Sequence, residues 1–453
     1  MKNYFLIIPF LVILLSFSCN KDEREPTQDY FKLTTNDNFI SNQERKWIIL
    51  NSDNGEIIKS IEVFNNESYR IDLEDYTLDK NYTVQIITQG DWFADEDWVS
   101  DVWNEENVSL ECFIDLKPNN WQLNGNENSN QTALEPIGTE TIRFDENLLT
   151  GSNPFTGSFL SLYYMRNKYT EQLTEINDTT FQMEQYYNPD NMLLLFSGDD
   201  GIPLYKWFDN IELNASLYVD EEDLTEMTEH IISFPTTSNS KTYIESEDDP
   251  NTDALEYYNF TPRGIILDSN NVQVYYPKGV FDGCYTYMRI YGESATEFHI
   301  KRRGSIPNTF KQIDATISVE DNSVLNFTAS TEGMVDYCSL SGGYGYNQSK
   351  TFSYNLNSSL NSITHFKAPQ IPENLMDSLQ IDLDNLNFYK FIFYEVDSYS
   401  GYDDYIKTWF IQPEILMEKV IEYQRKEIHF TDFKSTKIEN EEDMILKERQ
   451  RKY

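Results

Sequence analysis

The sequence predicts a mainly β protein, a multi-domain β-sandwich architecture with a short C-terminal helix. Three observations carry that expectation. Tyr and Phe number 31 and 28 among 453 residues, and aromatic and β-branched side chains suit the pleated, half-buried surface of a sheet. They fall in short runs broken by Asn, Asp and Ser clusters, the punctuation of strands and turns. The best helix candidate is a single short stretch, Pro413 to Tyr423, with Ile415, Leu416, Val420 and Ile421 at helix intervals behind a starting proline.

Taken in order, residues 1–18 read as an export leader. Lys2 supplies positive charge and Tyr4 to Leu15 an apolar run. Twelve helical residues reach about 18 Å, short of the roughly 30 Å hydrocarbon core of a bilayer. Residues 19–31 are polar, contain Pro26, and read as a flexible tether. Residues 32–120 read as a small β-sandwich. Lys46–Leu50 and Ile57–Val63 form a hairpin around Asp53-Asn54-Gly55, and Ser68–Leu73 and Tyr82–Thr88 are further strands. An Asn-rich stretch, 118–135, marks a boundary. Residues 136–237 and 254–430 read as β-rich, either as two domains or as one unit, with the acidic stretch 238–253 between them. Residues 431–453 form a charged tail.

Acidic residues outnumber basic ones 76 to 35, a net charge of -41. A field of that sign repels phosphates, so nucleic acid is disfavoured and is not expected as a partner. Of four cysteines, Cys112, Cys284 and Cys338 remain once Cys19 is set aside with the leader. Cys284 with Cys338 is the candidate disulfide, and three buried thiols are the alternative. There is no CxxC, HExxH, P-loop, GxSxG or dinucleotide fingerprint, so neither a metal, nor a cofactor, nor a catalytic residue is indicated. Asp382 to Asn387 offers oxygens but not an EF-hand pattern, and reads as a turn.

Two kinds of segment suit ligand contact. In Asp91 to Trp103, the rings of Trp92, Trp98 and Trp103 are interleaved with carboxylates. Aromatic faces stack on sugar C–H surfaces while carboxylates accept sugar hydroxyls, although closing the end of a sandwich is the plainer role for such rings. The loops around Tyr344 and Tyr346, and around Tyr402, combine Tyr, Ser, Gly and Asn as adaptable binding loops do.

Ser16-Phe17-Ser18-Cys19 resembles a bacterial lipobox. The resemblance implies cleavage before Cys19, acylation of that cysteine, and attachment to a membrane through N-terminal lipid. Asn20-Lys21-Asp22-Glu23 resembles the signal that sends Bacteroidota lipoproteins to the cell surface, which places Lys21, Asp22 and Glu23 in an export signal at the outer membrane. The strand order of the first module is similar to prealbumin-like or immunoglobulin-like modules of such proteins. The expected function is a non-catalytic binding module for a glycan or an envelope partner. The alternatives are an accessory subunit of an outer-membrane transport or secretion complex, and a polysaccharide hydrolase.

Overall fold

The computed structural model describes residues 28–41, 44–74, 79–92, 105–124, 136–145, 163–165, 174–185, 188–196, 202–234, 239–247, 265–268, 270–281, 283–291, 296–346, 350–411 and 422–430. The fold is mainly β, in several sheets with a few short helices. The leader, Cys19, the export signal and the charged tail lie outside the described residues, as do Trp98 and Trp103. Among the described residues, no helix is long and apolar enough to cross a membrane.

The organising element is an eleven-stranded sheet. Its strands in chain order are β1 (Glu44–Ser52), β2 (Ile57–Val63), β3 (Tyr82–Trp92), β4 (Glu105–Leu116), β5 (Asn239–Glu247), β6 (Gly283–Tyr291), β7 (Thr296–Gly304), β8 (Tyr337–Tyr346), β9 (Lys350–Ser358), β10 (Phe388–Val396) and β11 (Glu422–His429). Their order across the sheet is β5-β6-β7-β11-β10-β8-β9-β4-β3-β1-β2. All pairings are antiparallel except β9 with β4, which is parallel. That single parallel seam joins N-terminal strands to C-terminal ones.

Side chains alternate between the faces of a strand, so the register defines two surfaces. One row runs Ile428–Phe391–Leu340–Leu356–Cys112–Gln85–Ile49 across seven strands. With its neighbours it forms an apolar face. Strands Thr316–Asp321, Phe327–Glu332 and His365–Phe366, together with α1 (Leu360–Ile363) and α2 (Glu373–Leu379), cover this face and close a core around Phe327, Tyr354, Phe388 and Phe391. The polar members of the row have partners. Asn51 and Gln85 are fully buried, and both donate to the Gln370 carbonyl, at 2.9 and 3.1 Å. Gln85 also donates to Asn51, at 2.8 Å. The hairpin turn docks on the same segment. Gly55 has φ +83° and a Cβ there would stand 3.3 Å from the Cα of Pro369, so the turn needs glycine for its conformation and for its close approach.

On β1, β3 and β4 the opposite face is apolar as well. Ile48, Leu50, Val84, Ile86 and Phe113 pack against a three-stranded sheet of Tyr30–Thr35, Ser68–Asp72 and Asn120–Leu123. This is a sandwich, but one of its sheets continues into the C-terminal strands, and its core takes in a C-terminal helical segment. That segment is α3 (Tyr402–Ile406), running into a π-helical turn, Lys407–Ile411. The helix expected at Pro413–Tyr423 falls almost wholly outside the described residues, of which Tyr423 is in β11. The helical run at 402–411 was not expected: it begins in the loop read as a binding loop, because Tyr402, Tyr405, Ile406 and Phe410 recur at helix spacing and bury one face.

Residues 136–234 contribute two four-stranded sheets facing one another over Ile142, Phe144, Phe181, Met192, Leu194 and Val219. The strand Asp190–Phe196 is buried on both sides. Met192, Leu194 and Phe196 enter that core, whereas Leu193 and Leu195 enter another, with Met288, Ile290, Phe298 and Ile300 of β6 and β7. An unbroken apolar run is the sequence form of a doubly covered strand.

The expected Cys284–Cys338 disulfide is not formed. Cys284 lies in β6 and Cys338 in β8, four strand steps apart. At about 4.8 Å per step that is about 19 Å, against the roughly 6 Å between Cα atoms that a bridge requires. The Cys338 thiol donates to the Ser358 carbonyl instead, at 3.4 Å. Cys112 is fully buried beside the Tyr354 hydroxyl, and burial pushes its thiol up to about 12.

Candidate functional site

On the other face of the large sheet, over β6, β7, β11, β10 and β8, many side chains are aromatic or ionisable; those on β8 and β10 are largely buried, Tyr337 and Val396 in the sandwich core, while the face opens on β6, β7 and β11. One row reads Arg289–His299–Arg425–Tyr394–Tyr337. The next reads Tyr291–Glu297–Glu427–Ile392–Ser339. A third reads Tyr287–Lys301–Tyr423–Val396. The underlying pattern is Tyr285-x-Tyr287-x-Arg289, Glu297-x-His299-x-Lys301 and Tyr423-x-Arg425-x-Glu427, with apolar or amphipathic residues between.

The first two rows, with Tyr287 and Lys390, form one network. Glu297 and Glu427 are 5% and 3% exposed. Arg289 pairs with Glu297. Arg425 Nε stands 2.9 Å from Glu427 Oε1 and Lys390 Nζ 3.3 Å from its Oε2. His299 lies between them, with Nε2 at 2.9 Å from Glu297 Oε1 and Nδ1 at 2.8 Å from the Tyr287 hydroxyl. Burial, and then the Arg425 charge, hold His299 down at about 3, so its imidazole is neutral. The partners assign the tautomer: Nε2–H donates to Glu297 and Nδ1 accepts from Tyr287. Burial works to raise Glu427, but Lys390, Arg425 and His299 outweigh it and its carboxyl is lowered.

This arrangement limits the chemistry. Glu297, His299 and Glu427 present ligand atoms within 4.8 Å of one another, and those donor types suit a divalent metal. Their charge surroundings do not. Arg289, Arg425 and Lys390 already place three cations on two carboxylates, and a dication would add to an excess of positive charge. Tyr287–His299–Glu297 has the connectivity of a proton relay, yet an imidazole held near 3 is a poor base at neutral pH, where a catalytic pKa serves best close to the working pH.

Beside the network stands a tyrosine stack. Tyr337 lies flat against Tyr394, at 4.2 Å between ring centroids, and against Tyr405, at 4.1 Å. Tyr394 continues to Tyr423 at 5.9 Å, and Tyr405 to Trp409 at 6.3 Å. Trp409 is 46% exposed, while the next residue, Phe410, stacks on the buried Trp121 at 4.5 Å. The stack thus leads from the ionic network to an exposed indole. A cleft of about 260 Å³ is lined by Asp115, Ser359, Ser400, Gly401, Tyr402 and Asp403.

The residues singled out in the sequence fare unevenly. Tyr402 is 6% exposed and its hydroxyl donates to the Asn357 carbonyl at 2.9 Å, so its ring packs in the core while its edge borders the cleft. The Tyr344 hydroxyl accepts from the Asp382 amide at 2.8 Å and its ring packs on Phe352, so it clamps the 380–382 turn. Trp92 ends β3 opposite Glu105, and Tyr346 ends β8 opposite Lys350. The 382–387 segment is a turn, with Asp382 Oδ1 accepting from the Asp384 amide. Arg289, Lys390, Arg425, Glu297, His299, Glu427 and Trp409 were not marked by the sequence reading. The period-two alternation of charge and tyrosine in three strands was the available signal.

No protein-family model matches the sequence, and no curated protein does. Among solved structures, one from Bacteroides thetaiotaomicron, described as a candidate polysaccharide-binding protein (DUF1812), aligns over 59% of this chain and 78% of its own at 7% identity, with a TM-score of 0.13.

Proposed function

We propose that the protein is a lipid-anchored surface lipoprotein whose role is to bind a glycan, without catalysis. The supporting observation is the open part of this face on β6, β7 and β11, where the partly exposed Tyr287 and Tyr291 stand beside Arg289, Lys301, Arg303 and Arg425. Sugar recognition needs that pairing: flat aromatic faces for C–H surfaces, and fixed donors and acceptors for hydroxyls. Trp409 extends the surface with an exposed indole. Lipid attachment rests on the lipobox resemblance at Cys19 and surface display on Lys21, Asp22 and Glu23.

The test is retention on a panel of immobilised polysaccharides, comparing the parent chain with Trp409→Ala and Tyr291→Ala. Retention that both substitutions weaken is the expected result, and absence of retention on every polysaccharide sinks the proposal. The anchor has its own assay. Fatty-acid labelling should be lost in Cys19→Ser, and protease added to intact cells should remove the protein.

A second reading, an accessory subunit of an outer-membrane complex, is favoured by the sheet edge. Strand β2 ends the sheet with Ile57 and Ile58 exposed, and Phe64 follows it at 60% exposure. Open edges pair with other chains. Recovery of one membrane protein in fixed ratio after crosslinking on intact cells would support this reading over free glycan binding.

A further inference from the structure

The distribution of charge on the outward face points to a ligand class. The chain carries 76 acidic and 35 basic residues, yet four adjacent strands reverse that balance locally. On β6, β7, β11 and β10, the described side chains of this face include the cations Arg289, Lys301, Arg303, Arg425 and Lys390. The carboxylates set among them are Glu297 and Glu427.

Depth separates the two signs. The carboxylate side chains are 7% and 5% exposed, whereas Arg425 and Lys390 are 34% and 22% exposed. Glu427 therefore acts from beneath, fixing Arg425 through Nε and Lys390 through Nζ. Side chains held in this way lose little further freedom on binding, which is the main cost of using long cations as contacts. A guanidinium fork matches a carboxylate or sulfate with two parallel hydrogen bonds. Tyr287, Tyr291 and Tyr423 share the face and supply rings between the cations. The overall negative field does not prevent this, because charges beyond about 8 Å are largely screened at physiological ionic strength.

We propose that this face binds an anionic polysaccharide, recognised through sugar carboxylates or sulfates by the Arg289–Arg425–Lys390 cluster and the neighbouring Lys301 and Arg303. The proposal rests on the glycan-binding reading and adds the charge of the ligand.

The experiment is affinity electrophoresis of the full chain, in mild detergent, through gels containing dextran sulfate, polygalacturonate or neutral dextran. The expected result is retardation by one or both acidic polymers and none by dextran, weakening as salt is raised from about 0.1 to about 0.5 M. Retardation by one acidic polymer alone assigns sulfate or carboxylate. Arg425→Ala should weaken binding at least ten-fold. That substitution strips Glu427 of a partner and risks misfolding, so Lys301→Glu, at an exposed position outside the ion pairs of Glu427, provides the second variant, with at least a three-fold loss expected. Retardation by dextran alone overturns this inference and leaves glycan binding standing. Retardation by none of the polymers overturns both. Acidic-polymer binding that Lys301→Glu and Arg425→Ala leave unchanged also overturns it, as would capture of an acidic polypeptide in preference to either acidic polysaccharide.

Discussion

Lowering the pH from 7.5 to 5 should destabilise the protein through one side chain. His299 is 5% exposed and held at about 3. An unfolded chain returns it to about 6.5. Between those values the unfolded state binds a proton that the folded state refuses. The stabilisation is thus complete above the unfolded pKa and is lost as pH falls toward the folded one. At pH 5 the linkage relation with these two values gives a loss of about 2 kcal/mol relative to pH 7.5. Its cause is physical and local: a proton on Nδ1 would break the hydrogen bond from Tyr287 and place a third cation between Arg289 and Arg425. The assay is urea unfolding at a series of pH values for the parent chain and for His299→Gln, which cannot titrate but retains an amide donor toward Glu297. The other histidines and the carboxylates act equally in both chains and cancel in the difference. The variant should lose about 2 kcal/mol less than the parent over this range. Parallel profiles would refute the reasoning, and so would an imidazole resonance of His299 that titrates above pH 6.

Other substitutions probe the frame that holds this face. Asn51→Ala leaves Gln85 and the Gln370 carbonyl short of partners in a dry core, and should cost about 1–3 kcal/mol in urea unfolding. Trp121→Ala removes a side chain 1% exposed and stacked on Phe410, and should cost about 3–5 kcal/mol while shedding protection of 402–411 in hydrogen exchange. The Cys112 thiol, pushed up to about 12, and the hydrogen-bonded Cys338 should resist alkylation at pH 8 in the native chain and react in urea, with no Cys284–Cys338 crosslink found by mass spectrometry under oxidising conditions.

The strands themselves were legible because their signal is local. Lys46–Leu50, Ile57–Val63 and Tyr82–Thr88 announce themselves by composition and turn chemistry, and strands lie at Glu44–Ser52, Ile57–Val63 and Tyr82–Trp92. The helical segment at 402–411 was not legible, because Gly401-Tyr402-Asp403-Asp404 carries turn residues, and only the packing of Tyr402, Ile406 and Phe410 against the sandwich core decides for a helix there.

The candidate site was hidden more deeply. Arg289, His299 and Arg425 are 10 and 126 residues apart in sequence steps along the row, and nothing in their local context sets them side by side. What the sequence determined by itself was the β class, the alternation that makes each strand two-faced, the strongly negative charge and the lack of a catalytic signature. Which face of each strand meets which core, and that three strands align their cations above two buried carboxylates, was decided by register. Register is a property of strand pairing between distant segments, since a slip of one residue would turn every one of these side chains to the opposite face.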